Sequence, residues 1–324
     1  MIRRRRLLGD GAAAALGLVC GSAFAQGAWP DKPVRVVALF PAGGASDVLT
    51  RLLAEKLQAH FNQSFVVDNV TGAGGNIGMM AVMKAPPDGY TIGSATIGTL
   101  SINQFLYNKM GYDPLKDFVP VTTFWENCNV VAVASGHPSK TLQEFLAWAR
   151  KKPDGVTFSS SGVGTTPHLA GELFGLRAGI KVVHVPFRGT AVTEVAGGSI
   201  DFSIDNISSY APMLRAGRVR ALAVTSPDRW PTFPEVPTMA EAGMADFVIT
   251  SWGALVMPAG TPAAITNRLS QAVQAIANQP DVKERFLTAG ARIIAATPQE
   301  TAAFAARERV KWKEAVRLSG AKLD

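Results

Sequence analysis

Short apolar runs alternate with stretches of helical spacing along most of this chain, and that order restricts the possible fold more than any other feature. "VRVVALF" (34–40) is a β-type run. "DVLTRLLAEKLQAHF" (47–61) repeats Leu49, Leu53 and Leu57 every four residues, with Val48 and Leu52 beside them, the spacing of one helix face. "FVVDNV" (65–70) and "GYTIGSATI" (89–97) are further strands. This β-α-β-α-β order predicts an α/β fold with a parallel sheet covered by helices on both faces.

The pattern then restarts. "NVVAVAS" (129–135) reads as a strand and "TLQEFLAWARKK" (141–152) as a helix, with Thr141 and Glu144 spaced for a capping box. "VTFSSS", a helix over 167–177, "KVVHVPF", "IDFSIDNI" and "VRALAVTS" (219–226) follow. Two amphipathic helices close the chain, "PAAITNRLSQAVQAIANQ" and "TPQETAAFAARERVKWKEAVRLS", each read as capped by a Thr before a Pro. Two such units exceed one comfortable core, which predicts two lobes. The last helices are too few for a third lobe and must return to the first sheet. The chain then crosses between lobes twice, near Asn127–Val133 and Val248–Val256, and a cleft lies between them.

Two strand-to-helix turns stand out, one per lobe. "FPAGGASDVLT" carries the turn Pro41-Ala42-Gly43-Gly44, with Ser46 or Asp47 as the expected cap. "SSSGVGTTPHLAGELFG" (159–175) bends at Gly162 and Gly164, with Thr165 or Thr166 as cap and Pro167 at the first helical position. Ligands of open α/β sheets sit beyond the carboxyl ends of the strands. A helix start offers unpaired N–H groups and about half a positive charge to an anion. Arg188 in "VPFRGT" and Asp205 in "SIDNIS" follow second-lobe strands and are within reach of the same cleft. A third glycine loop, "TGAGGNIG" (71–78), lacks the dinucleotide spacing, and the 162–167 loop lacks the lysine of a phosphate loop, so no cofactor is expected.

Nothing points to catalysis. There is no G-x-S-x-G elbow, and the four histidines lie far apart or without partners at catalytic spacing. His60 and His137 read as surface residues, His184 as a structural strand residue, and His168 as a first-turn residue of the site helix. No His/Cys cluster suits zinc, so no metal is expected. Cys128 reads as a buried small apolar side chain.

Residues 1–25, "MIRRRRLLGDGAAAALGLVCGSAFA", have a basic start, an apolar middle and a small-x-small end. They read as a secretory signal peptide cleaved before Gln26; the arginines also allow a twin-arginine signal. Removing them takes away four of 32 basic and one of 25 acidic side chains, so the net charge falls from +7 to +4. The remaining basic residues are scattered, which argues against nucleic acid as a partner.

Taken in order, "WPDKPVRVVALFPAGGASDVLTR", "VVDNVTGAGGNIG", "KAPPDGYTIG", "GTTPHLAGELF", "VHVPFRGTA", "GGSIDFSIDN", "LRAGRVRALAVTS" and "VPTMAEAG" make the chain resemble the periplasmic substrate-binding receptors of tripartite tricarboxylate transporters, the Bug family. The resemblance implies a two-lobed periplasmic binding protein, a Venus flytrap of type II-like topology with two crossing hinge strands. Residues 26–127 with 255–324 would form lobe 1, and 128–254 lobe 2. It also implies a monomer that binds a small carboxylate and hands it to membrane transporter subunits, with no catalytic residues. Carried onto this sequence, the ligand loops are Pro41–Asp47, including Ala42, Gly43, Ala45, Ser46 and Asp47, and Ser161–His168, including Ser161, Gly164, Thr165, Thr166 and His168. Asp205 and Asn206 match a further cleft position, and Arg188 would suit a second anionic group. Phe40, Phe187, Trp125 and Trp252 are candidate walls for the ligand body; Phe187 stands where the family often has tyrosine. A carboxylate sensor serving a signalling partner and, more distantly, a hydrolase are the rival readings.

Overall fold

The computed structural model describes residues 29–323 except 161, 164, 188 and 189; the signal segment lies outside the described residues. The elements run in the expected alternation. They are β1 (Val34–Ala38), α1 (Ala45–Phe61), β2 (Phe65–Asn69), a 3-10 turn (Ala73–Gly75), α2 (Asn76–Met83), β3 (Thr91–Thr96), a π turn (Gly98–Ile102) and α3 (Asn103–Leu106). After β4 (Phe118–Ala134) come α4 (Leu142–Ala149), β5 (Val156–Ser160), α5 (Thr166–Ala178), β6 (Val182–Pro186), α6 (Val192–Ala196), β7 (Phe202–Asn206), α7 (Ile207–Arg215) and β8 (Val219–Val224). The chain finishes with β9 (Thr250–Pro258), α8 (Ala263–Ala277), α9 (Pro280–Thr288), β10 (Arg292–Ile293) and α10 (Pro298–Ser319).

β4 organises the molecule. It is 17 residues long and belongs to two sets of partners. Phe118–Cys128 pair antiparallel with β9, which in turn pairs antiparallel with β3 of the parallel set β2-β1-β3. Asn129–Ala134 pair antiparallel with β7 and β8, and β7 heads the parallel set β7-β5-β6. Two α/β units are therefore joined where β4 changes partners at Cys128/Asn129 and again where the chain returns, Ile249 N donating to Thr225 O after β8 and Thr250 pairing with Cys128. β4 starts well before the crossing expected from sequence, and register shifts at Pro120/Thr122 and Thr123/Trp125 bend it on the way.

Apolar side chains line each unit, and the largest core runs continuously through both, from Leu39 and Trp312 to Phe158 and Phe174. α1 and α8 cover one face of the first sheet, burying Leu49, Leu53, Leu57, Leu269 and Val273 against Val34, Val36 and Leu255. In the second unit the rings of Phe145, Phe158, Phe174 and Phe202 pack together between β5, β7, α4 and α5. The tail returns to the first sheet as expected, α8 and α10 both packing on β4. α9 was not expected, and the predicted cap of α8 is corrected: Pro262 is its N-cap, and Thr261 Oγ1 donates instead to Pro258 O at 2.7 Å. Thr297 and Glu300 form the capping box that starts α10. Thr141 caps α4 through Glu144 N, but Glu144 Oε2 accepts from Lys140 N, so that box is half formed. Among the described residues no helix is long and apolar enough to cross a membrane.

Candidate functional site

Strand register alone brings the ends of the two parallel sets towards each other. The carboxyl end of β3, Thr96, lies level with Gly253 of β9 and through it with Trp125 of β4. The carboxyl end of β7, Asn206, lies level with Asn129 of β4 and arrives from the opposite direction. The two parallel sets thus aim their carboxyl ends at each other across four residues of one strand, roughly 13 Å. The turns after β1, β2 and β3 come from one side of that gap, and those after β5, β6 and β7 from the other.

The first turn is built around a buried carboxylate. Gly43 adopts φ 81°, a left-handed value that suits glycine, and Gly44 is the N-cap of α1 without a side-chain cap bond. Neither Ser46 nor Asp47 caps, correcting the expectation from sequence. Asp47 reaches back instead: Oδ2 accepts from Gly43 N at 2.9 Å, both oxygens accept from Arg51 Nε, and Oδ1 accepts from Asn69 Nδ2 at 2.8 Å. Asn69 Nδ2 also donates to Phe40 O, and Arg51 donates to Asn69 Oδ1. Burial pushes the Asp47 carboxyl up, but the bonds from Arg51, Asn69 and Gly43 outweigh it and hold it below the ordinary carboxylate value. Its charge is thereby committed to the turn. Pro41, Ala42, Gly43 and Gly44 remain exposed, Ala45 and Ser46 half-buried, and the first-turn N–H groups of Ala45 and Ser46 have no intrahelical acceptor. Asn69 escaped the sequence reading, because it lies 22 residues from the carboxylate it holds.

The turn after β2 is closely packed. Gly72, Ala73, Gly74 and Gly75 all have positive φ. A Cβ on Gly74 would lie 2.7 Å from the Tyr107 hydroxyl. Asn76 Oδ1 accepts from Asn103 and Tyr112, tying this turn to the segment after β3.

In the second turn, Thr165 is the N-cap of α5 and Pro167 takes the second helical position, one later than expected. Thr165 Oγ1 donates to Gly162 O at 2.6 Å and accepts from His168 N at 3.5 Å. Pro167 has no N–H and His168 N is capped, so the first turn of α5 keeps the Thr166 N–H for an outside acceptor. Thr166 and His168 are themselves buried. Ser161, Gly164 and Arg188 lie outside the described residues. Thr165→Ala should cost about 1 kcal/mol, the ordinary value of a lost threonine cap. Urea denaturation measures it, and an unchanged midpoint would mean the cap bond adds nothing.

Asp205 sits in the core at 1% exposure, and Asn206 is half-buried at the end of β7. Burial pushes the Asp205 carboxyl up to about 7, against one bond accepted from Asn206 N. Its Oδ2 has no protein partner among the described residues, nor do either amide atom of Asn129 or Oδ1 of Asn206, which oppose each other across β4 and β7. Phe40 is half-buried against the larger core, and Phe187 against the α6–α7 core. Trp125 and Trp252 are buried, and Trp252 Nε1 donates to Glu308, so Trp252 is a core residue rather than a wall. Cys128 is fully buried, its thiol pushed up to about 12 mainly by burial, which makes it a poor nucleophile. His60 is exposed, but His137 is half-buried, its ring 4.5 Å from that of Trp148, correcting its reading as a surface residue. Among the described residues no group of three His, Cys, Asp or Glu could hold a metal ion.

Residues 49–320 match the family model described as "Tripartite tricarboxylate transporter family receptor". The fold superposes on Rpa4515 of R. palustris, solved with adipate, with TM-score 0.84 and 35% identity, covering 91% of this chain and 100% of that one. The periplasmic binding protein BugD gives TM-score 0.80 and 30% identity over 91% and 99% of the two chains. MatC of Rhodopseudomonas palustris, solved with malate, gives 0.79 and 31% over 89% and 100%. With two lobes and strand ends that face each other along β4, the chain belongs to the tripartite tricarboxylate transporter receptor family and is a solute-binding receptor, not an enzyme.

Proposed function

We propose that this receptor captures a small organic dicarboxylate in the gap beside Trp125–Asn129 and delivers it, in the periplasm, to a tripartite tricarboxylate-type membrane transporter. The observation that carries the reading is the convergence of the two sets of strand ends, each leading through a glycine turn into a helix start. A carboxylate there would accept from Ala45 and Ser46 N–H on one side and Thr166 N–H on the other. Hydrogen bonds to a charged group contribute roughly 1.5–3 kcal/mol each. Adipate in Rpa4515 and malate in MatC support the ligand class. In this reading the contact set is Phe40, Ala42, Gly43, Ala45 and Ser46, held by Asp47, facing Ser161, Gly164, Thr165, Thr166 and His168. Arg188, Asp205 and Asn206 close the second side.

Residues 26–127 with 255–324 form one lobe in this reading, and 128–254 the other, the partner change of β4 at Cys128/Asn129 supporting the first boundary. Residues 1–25 direct export, and the receptor acts as a monomer. Ligand bridging both turns favours the closed arrangement by its differential affinity for it.

A thermal-shift screen over adipate, malate, acidic amino acids and aromatic dicarboxylates tests the reading. A ligand at 100 times its Kd should add about 2.7 kcal/mol of stability. Stabilisation by uncharged solutes only would overturn it.

A further inference from the structure

The second turn rests on a pair of imidazoles. Ser160, the last residue of β5, is fully buried. Its Oγ lies 2.7 Å from His184 Nε2 on β6, 3.1 Å from Gly162 O and 3.2 Å from Gly162 N. The Gly162 N–H donates to Oγ. The single hydroxyl hydrogen then has two possible acceptors. Gly162 O already accepts from Thr165 Oγ1 at 2.6 Å and from Thr165 N at 3.3 Å, which uses a carbonyl's two lone pairs. The hydrogen is therefore better directed to His184 Nε2, which requires a neutral ring with its proton on Nδ1.

His184 is clamped between two rings. Phe158 stacks on it at 4.9 Å and 27°, and His168 of α5 at 4.1 Å and 27°. Among the described residues, the titratable groups facing it are His168 and, beyond it, Glu172, whose Oε1 is 3.9 Å from His168 Nε2; β5 presents Ser160 and Phe158. A proton on either ring would set a cation against a stacked imidazole in a largely buried place.

We propose that His184 is a positioning residue for the second ligand turn, acting through Ser160 as a proton-sensitive latch. With the ring neutral, Ser160 binds His184 and leaves Gly162 O to Thr165, and the turn is held. A proton on Nε2 converts that acceptor into a donor, turns the Ser160 hydrogen back onto Gly162 O in competition with Thr165, and releases the turn. Burial pushes His184 down to about 4; burial, then His184 itself, pushes His168 down to about 4, so both rings are neutral at pH 7. The effect on ligand rests on the receptor reading above; the latch itself does not.

Two measurements separate them. Amide-exchange protection at Gly162 and Thr165, followed from pH 7 to pH 4, should fall about tenfold in the wild type. It should fall clearly less in His184→Gln, whose amide oxygen can accept from Ser160 but does not titrate, His168 being the one ring of the pair left to take up a proton. Ser160→Ala should lower protection at every pH, without the pH dependence. Equal pH trends in wild type and His184→Gln, or Ser160→Ala keeping the wild-type trend, would overturn the latch. Calorimetric titration with adipate and malate is the second arm. Affinity should weaken about tenfold in His184→Ala at pH 7 and stay within twofold in His184→Gln; towards pH 4, where the ligand carboxylates themselves take up protons, the wild type should fall about tenfold more than either variant. An equal fall in wild type and His184→Gln counts against the latch while leaving the receptor reading intact. The predicted protection pattern without carboxylate binding at any pH supports the latch and counts against the receptor reading.

Discussion

Asp205→Asn should stabilise the protein at pH 8 by on the order of 4 kcal/mol and change it little at pH 4. Asp205 is buried in the core, and burial raises its carboxyl from 3.8 to about 7. The folded state therefore holds a proton that the unfolded chain releases near 3.8. Stability linked to that proton is complete below 3.8 and is lost as pH rises through about 7. An amide keeps the shape, accepts from Asn206 N and does not titrate. The histidine pair has the opposite sign. His168 and His184 are pushed down from 6.5 to about 4, so their linked stability is complete above 6.5 and is lost as pH falls through about 4. Between pH 4 and 6.5 the one proton of Asp205 offsets about half of the two protons of the histidine pair, so the wild-type curve climbs gently. Removing Asp205 should steepen that climb towards neutral pH. Urea denaturation at intervals from pH 4 to 8 gives the comparison, and parallel curves for the two proteins would rule the account out.

Gly171→Leu should destabilise the fold by about 3 kcal/mol or more. Gly171 lies in the middle of α5, over the ring of Phe158. A Cβ there would come within 2.0 Å of Phe158 Cε2 and 2.3 Å of Cδ2. That ring cannot step aside freely, because it packs on Phe202 at 5.7 Å and on His184 at 4.9 Å. Replacing a helical glycine recovers only about 1 kcal/mol of backbone propensity, less than the overpacking cost. The melting temperature should fall by several degrees, and Gly171→Ala should lie between the two. A Gly171→Leu protein as stable as wild type would mean that α5 can lift off β5 without penalty.

Local features of the sequence were the readable ones. Leu49, Leu53 and Leu57 announce α1 because they share a helix face within one segment. Thr165 and Thr297 announce their helices because cap and capped N–H lie three residues apart. The start of β4 was hidden, since "FVPVTTFWE" holds a proline and paired threonines, which the strand accommodates with a register shift at Pro120/Thr122. α9 was hidden because few of its residues are apolar; only Val282 and Phe286 are buried. At the site, both turns were visible as glycine clusters before a helix, whereas the groups that hold them were not. Asn69 meets Asp47 across 22 residues, and His184 meets Ser160 across 24. No spacing rule reaches that far, so the reading of His184 as an ordinary strand residue missed its hydroxyl partner. Ser46 and Asp47 were misread as caps because a short polar residue after a turn usually serves that role; here Arg51 and Asn69 draw the carboxylate inward.

The pairing of β3 with β9 also bears on how the molecule is made. During synthesis β1, β2 and β3 emerge early, yet the strand that covers the free side of β3 arrives about 150 residues later. An apolar sheet margin left bare for so long invites adhesion to other nascent chains. A holding factor that keeps the first hundred residues loose until Thr250–Pro258 appear would spare the protein that fate, and chains truncated before Thr250 should clump where the full-length form does not.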